Sequence, residues 1–157
     1  MQNKQHYRNL VKKEFAKLSQ EELLKRSTAL VNKLSKNQIL RTAELVMVYL
    51  PLKDEVQLQT LFSQKKQFYI PNISGPTLKP VKLYENTPIN AEKLDLIIVP
   101  GCAYTKEGVR IGRGAGYYDR FLVGITIPTI ALALSFQIFP ELPQEKHDVL
   151  IQEVISE

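Results

Sequence analysis

The stretch "LDLIIVPG", Leu94 to Gly101, decides the architecture. No polar residue stands between Leu96 and Val99, and Pro100-Gly101 ends the run. A strand with one wet face alternates polar and apolar residues, whereas an unbroken apolar run is buried on both faces, as in a parallel sheet covered by helices. Upstream, "ELVMVYLP" (Glu44–Pro51) has the same character, and downstream "TIALALSF" (Thr129–Phe136) repeats it. "KQFYIPNI" (Lys66–Ile73) and "LKPVKLY" (Leu78–Tyr84) read as further strands, with "NISGPT" and "ENTPIN" as loops.

Between and before these runs the period changes. Tyr7, Leu10, Val11, Phe15 and Leu18 recur at three- and four-residue steps, which is one face of a helix. Ser19 with Glu22 offers a capping box ahead of a second periodic stretch carrying Leu23, Leu24, Ser27, Leu30, Val31 and Leu34. Gln57–Lys66 and "GYYDRFL" (Gly116–Leu122) also have helical spacing. The pattern predicts an α/β fold: a single domain over 1–157 with a largely parallel central sheet flanked by helices. A chain of 157 residues is long enough to bury roughly two-thirds of its unfolded surface.

The formal net charge of +5 suits nucleic acid or a polyanionic small molecule such as a nucleotide. Lysines and arginines are dispersed and no nucleic-acid motif accompanies them, so nucleic acid is not the expected partner. The lone Cys102 has no partner for an internal disulfide, and "MQNKQHYR" lacks the apolar core of a secretory signal. The longest apolar runs fall short of the roughly 20 residues of a membrane span. A soluble, cytoplasmic protein is expected. His6 and His147, without cysteine partners, do not suggest zinc.

Downstream of the buried strand lies "VRIGRGAGYYDRF", Val109 to Phe121, with Gly112, Gly114 and Gly116 alternating around Arg113 and Ala115. Glycines at this density belong where the chain needs positive φ or where a ligand approaches the main chain. The loop follows a strand end, where open α/β sheets bind ligands, and its backbone N–H groups suit phosphate. Arg110 and Arg113 would add charge-assisted hydrogen bonds, and Asp119 suits Mg²⁺ held against phosphate. Neither the dinucleotide G-x-G-x-x-G pattern nor a Walker A loop is present. The residues alone are equally compatible with a tight turn on which Tyr117 and Tyr118 pack against the sheet.

"VPGCAYTKEGVRIGRGAGYYDRFL" closely resembles the motif of the 5-formyltetrahydrofolate cyclo-ligases, also called 5,10-methenyltetrahydrofolate synthetases. The resemblance extends to "KQHYR", "VYLPLKDEV", "KQFYIP" and "KHDVLIQEVISE", nearly the whole chain. It implies a three-layer α/β/α fold of the NagB/RpiA/CoA-transferase-like type. It also implies ATP-dependent cyclisation of 5-formyltetrahydrofolate, with ATP and Mg²⁺ as cofactors; the sequence leaves the oligomeric state open, and a monomer is expected. In that family ATP phosphorylates the formyl oxygen, a neighbouring folate nitrogen closes the ring, and phosphate departs. By resemblance, Lys4, Arg8, Arg110, Gly112, Arg113, Gly114, Ala115, Gly116, Tyr117 and Tyr118 bind ATP, with Arg113 and Tyr118 catalytic. Leu50, Glu55 and Tyr69 contact the folate, and Asp119 and Asp148 hold the metal. This chain departs from the family at Ala115, where lysine is common, at Tyr104-Thr105, and in the shortened "ENTPINAEKLDL". A relative that binds folate or nucleotide without turnover is the alternative. Cys102 reads as a packed thiol with no task in the chemistry, and Tyr69 and Tyr84 read either as core or as pterin-stacking residues.

Overall fold

A computed structural model describes residues 1–157. Helix α1 (Lys4–Ala16) starts at Asn3, whose side chain accepts from the His6 N–H. Ser19 caps α2 (Gln20–Ser35): its Oγ accepts from the Glu22 N–H, and the Glu22 carboxylate turns back to the Ser19 hydroxyl. These side-chain acceptors satisfy donors that have no partner within the helix. A third helix, α3 (Gln38–Thr42), is capped by Asn37. At five residues it is too short to display a period, which is why periodicity does not announce it.

The strands are β1 (Leu45–Met47), β2 (Gln67–Ser74), β3 (Thr77–Lys82), β4 (Leu96–Ile98), β5 (Ala103–Tyr104) and β6 (Arg110–Ile111); after α4 (Tyr117–Phe121) come β7 (Thr129–Ala133) and β8 (Glu153–Ser156). Six form one sheet in the order β3-β2-β1-β4-β7-β8, parallel except for the β2–β3 hairpin, while β5 and β6 form a small antiparallel pair. Several expectations change. "NISGPT" is not an open loop but the tight turn of that hairpin: Ser74 pairs with Thr77, and Gly75 takes φ +57° at the first central position. Gln57–Lys66 contributes only a 3₁₀ helix at Gln59–Ser63. "TIALALSF" ends as a strand at Ala133, and Ser135–Gln137 turn as 3₁₀.

The predicted burial on both faces holds residue by residue. Val46, Val48, Leu96, Ile98, Ile130 and Leu132 point into the larger core with Val11, Phe15, Leu23, Leu30 and Leu34 of α1 and α2. Their neighbours Met47, Ile97, Val99, Ala131 and Ala133 point into a smaller core with Tyr104, Leu122 and Ile151. The fold therefore has three layers, although the second helical layer is thin, built on the five residues of α4 and flanking loops. No helix is long and apolar enough to cross a membrane.

β8 is tied to α2 through Glu157, whose carboxylate takes two hydrogen bonds from Arg26 (2.6 and 2.5 Å) and one from the Ser135 N–H. The Arg26 hydrogen bond is the main reason its carboxyl is pulled down to about 2, against the opposing push of burial. A depressed carboxyl contributes stability above its unfolded pKa and loses it as pH falls through the folded value. Glu157→Gln is expected to cost about 0.5–1 kcal/mol at pH 7, a figure already discounted for solvent screening. Thermal melts should show that deficit shrinking below about pH 4 and vanishing near pH 2.

Strand order reverses between β1 and β4: from β1 the chain steps outward to β2, and from β4 it steps the other way to β7. The crevice outside the carboxyl ends of β1 and β4 is thus the switch point where such sheets take ligands.

Candidate active site

Two segments leave that crevice: Val48–Val56 after β1, and Val99–Gly101 after β4. The glycine loop between β6 and α4, and the first turns of α1, close the rest. A cleft of about 380 Å³ results, lined by Lys4, Arg8, Arg110 and Arg113, by all of Gly112–Asp119, and by Glu145 and His147. A second cavity of about 230 Å³, walled by Tyr49, Leu50, Leu52 and Ile70, adjoins it. Glu55, Pro71, Pro100, Arg113 and Tyr118 belong to both walls.

The glycines are needed where they stand. Gly114 has φ +116° and Gly116 φ +74°, and a Cβ on Gly112 would lie 2.8 Å from Arg110 Nη1. Arg8 holds the loop from α1: its Nε donates to the Gly112 carbonyl at 2.7 Å, and its guanidinium lies over Gly114. Arg120 holds it from the other side, donating to the carbonyls of Ala115 (3.0 Å) and Pro76 (3.2 Å) and stacking on Tyr117. With only five residues in α4, the positive character of the cleft comes from these side chains more than from a helix dipole.

Arg110 is buried and largely committed. Nη1 donates to the Pro100 carbonyl at 2.9 Å, Nη2 to Asp119 Oδ1 at 3.0 Å, and the guanidinium faces the Tyr118 ring. It braces the end of β4 against α4, and only its buried Nε lacks a partner. The Tyr118 hydroxyl is likewise buried and unpartnered, and the residue belongs to the wall common to both cavities. Burial pushes its pKa well up, so it stays a neutral donor.

Asp148 lies behind the cleft wall, its side chain 5 % exposed, accepting from Lys4 Nζ at 2.7 Å and from the Glu145 N–H at 2.9 Å. Its Oδ1 is buried without a hydrogen-bond partner, and His147 Nε2 stands 3.6 Å away. Asp119 and Asp148 are thus each held by a different cation, Arg110 and Lys4. Glu55 is buried and accepts from the Leu52 N–H at 2.9 Å, with Arg113 Nη2 at 3.8 Å. Burial raises its pKa, and the Leu52 N–H and Arg113 only partly restore it. Leu50 is exposed at the lip of the second cavity.

Tyr69 is buried away from both cavities. It pairs with Met47, packs into the smaller core and lines neither cavity, because its position on β2 turns it to the sheet face away from Phe68. Tyr84 is neither core nor stacking residue: it is 95 % exposed at a turn with φ +69°. Cys102 is half-buried, and burial pushes its thiol pKa up, which keeps it protonated and unreactive. The residues that sequence reading passed over are Tyr49, Leu52, Ile70, Pro71 and Pro100 in the walls, Glu145 and His147 beside Asp148, and Arg120 and Asp54 at the glycine loop. "KDEV" and "YYDR" display the last two as charges next to motif residues, but not whom they meet.

The fold and cleft define an open-sheet α/β protein whose ligand site lies at the strand switch, with a cationic glycine loop on one side and an apolar cavity on the other. The chain belongs to the 5-formyltetrahydrofolate cyclo-ligase family, whose model matches residues 73–157. A mouse 5-formyltetrahydrofolate cyclo-ligase is 28% identical, over 94% of this chain and 90% of that protein. Among solved structures, a 5,10-methenyltetrahydrofolate synthetase from Mycoplasma pneumoniae shares the fold at a TM-score of 0.88 and 23% identity, covering 98% of each chain. The Aquifex aeolicus 5,10-methenyltetrahydrofolate synthetase superposes at 0.86 with 28% identity, covering 98% of this chain and 89% of that one.

Proposed function

We propose that the chain, acting over 1–157 as one cytoplasmic, monomeric domain, converts 5-formyltetrahydrofolate and ATP to 5,10-methenyltetrahydrofolate, ADP and phosphate. One observation carries this reading: two adjoining cavities, one cationic and glycine-lined, the other apolar with a buried carboxylate, share a wall containing Arg113, Glu55 and Tyr118. A phosphoryl group bound in the first has a short path to an acceptor bound in the second.

The donor set fits a polyphosphate with a hard cation. Arg110 Nε and the Tyr118 hydroxyl are buried polar atoms still lacking partners, and Asp148 Oδ1 is a buried acceptor lacking one. Lys4, Arg8, Arg113 and the loop from Gly112 to Tyr118 would hold the phosphates; Asp119, on the cleft wall, would hold Mg²⁺, and Asp148, behind that wall, would join it only where Lys4 leaves it for a phosphate. Bound Mg²⁺ neutralises charge on the transferred phosphoryl group. The chain supplies no nucleophile: the formyl oxygen takes the phosphoryl group, and the neighbouring nitrogen closes the ring as phosphate leaves. Arg113 offsets charge at the seam, Tyr118 donates a hydrogen bond there, and Leu50 and Glu55 seat the folate. Ala115 removes a lysine common in the family, but Arg8 over Gly114 places a cation beside the same loop.

The test is the rise of methenyl absorbance when purified protein, 5-formyltetrahydrofolate, ATP and Mg²⁺ are mixed. Product that requires ATP supports the reading. A folded protein that binds ATP or folate and makes none would replace it with a binding function.

A further inference from the structure

Arg113 sits on a backbone that cannot aim it, between Gly112 and Gly114, and its side chain is 43 % exposed. A free arginine there would retain about 2 kcal/mol of rotamer entropy to be lost at each turnover. Yet every hydrogen bond its guanidinium makes goes to one residue: Nη2 donates to Asp54 Oδ1 at 2.6 Å and to the Asp54 carbonyl at 3.5 Å, and Nη1 to Oδ2 at 3.4 Å. Glu55, at 3.8 Å, is already engaged by the Leu52 N–H. Asp54 lines neither cavity, whereas Arg113 lines both. The carboxylate therefore stands behind the guanidinium, leaving Nε–H and the outer hydrogens free for an anion. Burial pushes the Asp54 carboxyl up, but the Arg113 hydrogen bond and charge outweigh it, so it remains ionised.

We propose that Asp54 is the positioning residue of Arg113: it fixes the guanidinium at the seam of the two cavities and ties the β1–β2 segment to the glycine loop, 59 residues away in sequence. This role in turnover rests on the cyclo-ligase reading above. The charge of a phosphate ligand would be better balanced without Asp54, but its orientation would be worse. Loss of Asp54 should therefore separate affinity from rate.

Asp54→Asn is expected to lower kcat about 10- to 100-fold, while ATP affinity by calorimetry stays within about five-fold or tightens. In an Arg113→Ala background the same change should have no further effect on kcat, since Asp54 acts only through Arg113. Asp54→Ser runs the same cycle if the amide disturbs the loop. An unchanged kcat, or an equal additional loss without Arg113, overturns the proposal. A second readout does not depend on activity. The Nε–Hε signal of Arg113 in ¹⁵N-labelled protein, assigned by its loss in Arg113→Lys, should be motionally restricted in the native chain and averaged in Asp54→Asn. A signal equally restricted in both overturns the positioning role, whereas a native chain that forms no methenyl product sinks the cyclo-ligase reading and leaves this arm to decide on Asp54.

Discussion

Replacing Arg113 with alanine lowers turnover by about 100- to 1,000-fold, the usual effect of deleting one aimed donor from a site of developing charge. The fold survives, because the side chain is 43 % exposed and leaves no core cavity. The loss falls mainly on kcat: Lys4, Arg8 and the loop backbone remain to bind the polyphosphate, while the seam loses its only cation common to both cavities. A side effect identifies the site. Burial already holds the Glu55 pKa up, and Arg113 is one of the groups pulling it back. Without Arg113 both Glu55 and Asp54, whose carboxyl it holds down, rise, so the variant's stability deficit is absent in strong acid and grows as pH climbs through the ordinary carboxylate range and above it. The methenyl assay and thermal melts at two pH values check both halves. Native-like kcat would remove Arg113 from the chemistry.

Some of this was legible because the residues had few alternatives. "LIIV", short, rich in β-branched residues and ended by Pro-Gly, reads as a strand buried on both faces, and the two cores do divide it, Leu96 and Ile98 to one side, Ile97 and Val99 to the other. The glycine loop was legible for a similar reason, since positive φ at Gly114 and Gly116 leaves few other residues eligible. β8 was not, because a partly exposed edge strand reading "EVIS" carries no two-sided apolar signal. β5 and β6, at two residues each, exist only through their pairing. The place of Tyr69 in the smaller core was not legible either, because parity along β2, not side-chain type, decides which face a residue takes. Arg110 was read as a phosphate ligand from its place in the motif, and its bracing of Pro100 and Asp119 is purely tertiary. Asp54 and Arg120 escaped for the same reason.

A glycine outside the motif is expected to matter most for stability. Gly108, in the turn joining β5 to β6, has φ +98°, and a Cβ there would lie 2.0 Å from the Ile151 carbonyl oxygen and 3.0 Å from its carbon. These are backbone atoms and no rotamer can clear them. The two segments are also bonded, Ile151 N–H to the Gly108 carbonyl at 2.8 Å, so they cannot part without losing that bond. Gly108→Ala combines a strained φ with a backbone clash, and about 3 kcal/mol or more should be lost. That corresponds to a fall in Tm of roughly 6–12 °C for a chain of this size. The displaced segment begins three residues after Asp148 and leads into β8, so relief of the clash also disturbs the Lys4–Asp148 pair at the rear of the cleft. Gly75→Ala is the control: φ is +57° but nothing lies within 4 Å, and only the conformational cost of about 1 kcal/mol applies. Equal melting temperatures for the two variants would mean that the Gly108–Ile151 contact yields freely and does not hold the carboxyl-terminal segment in place.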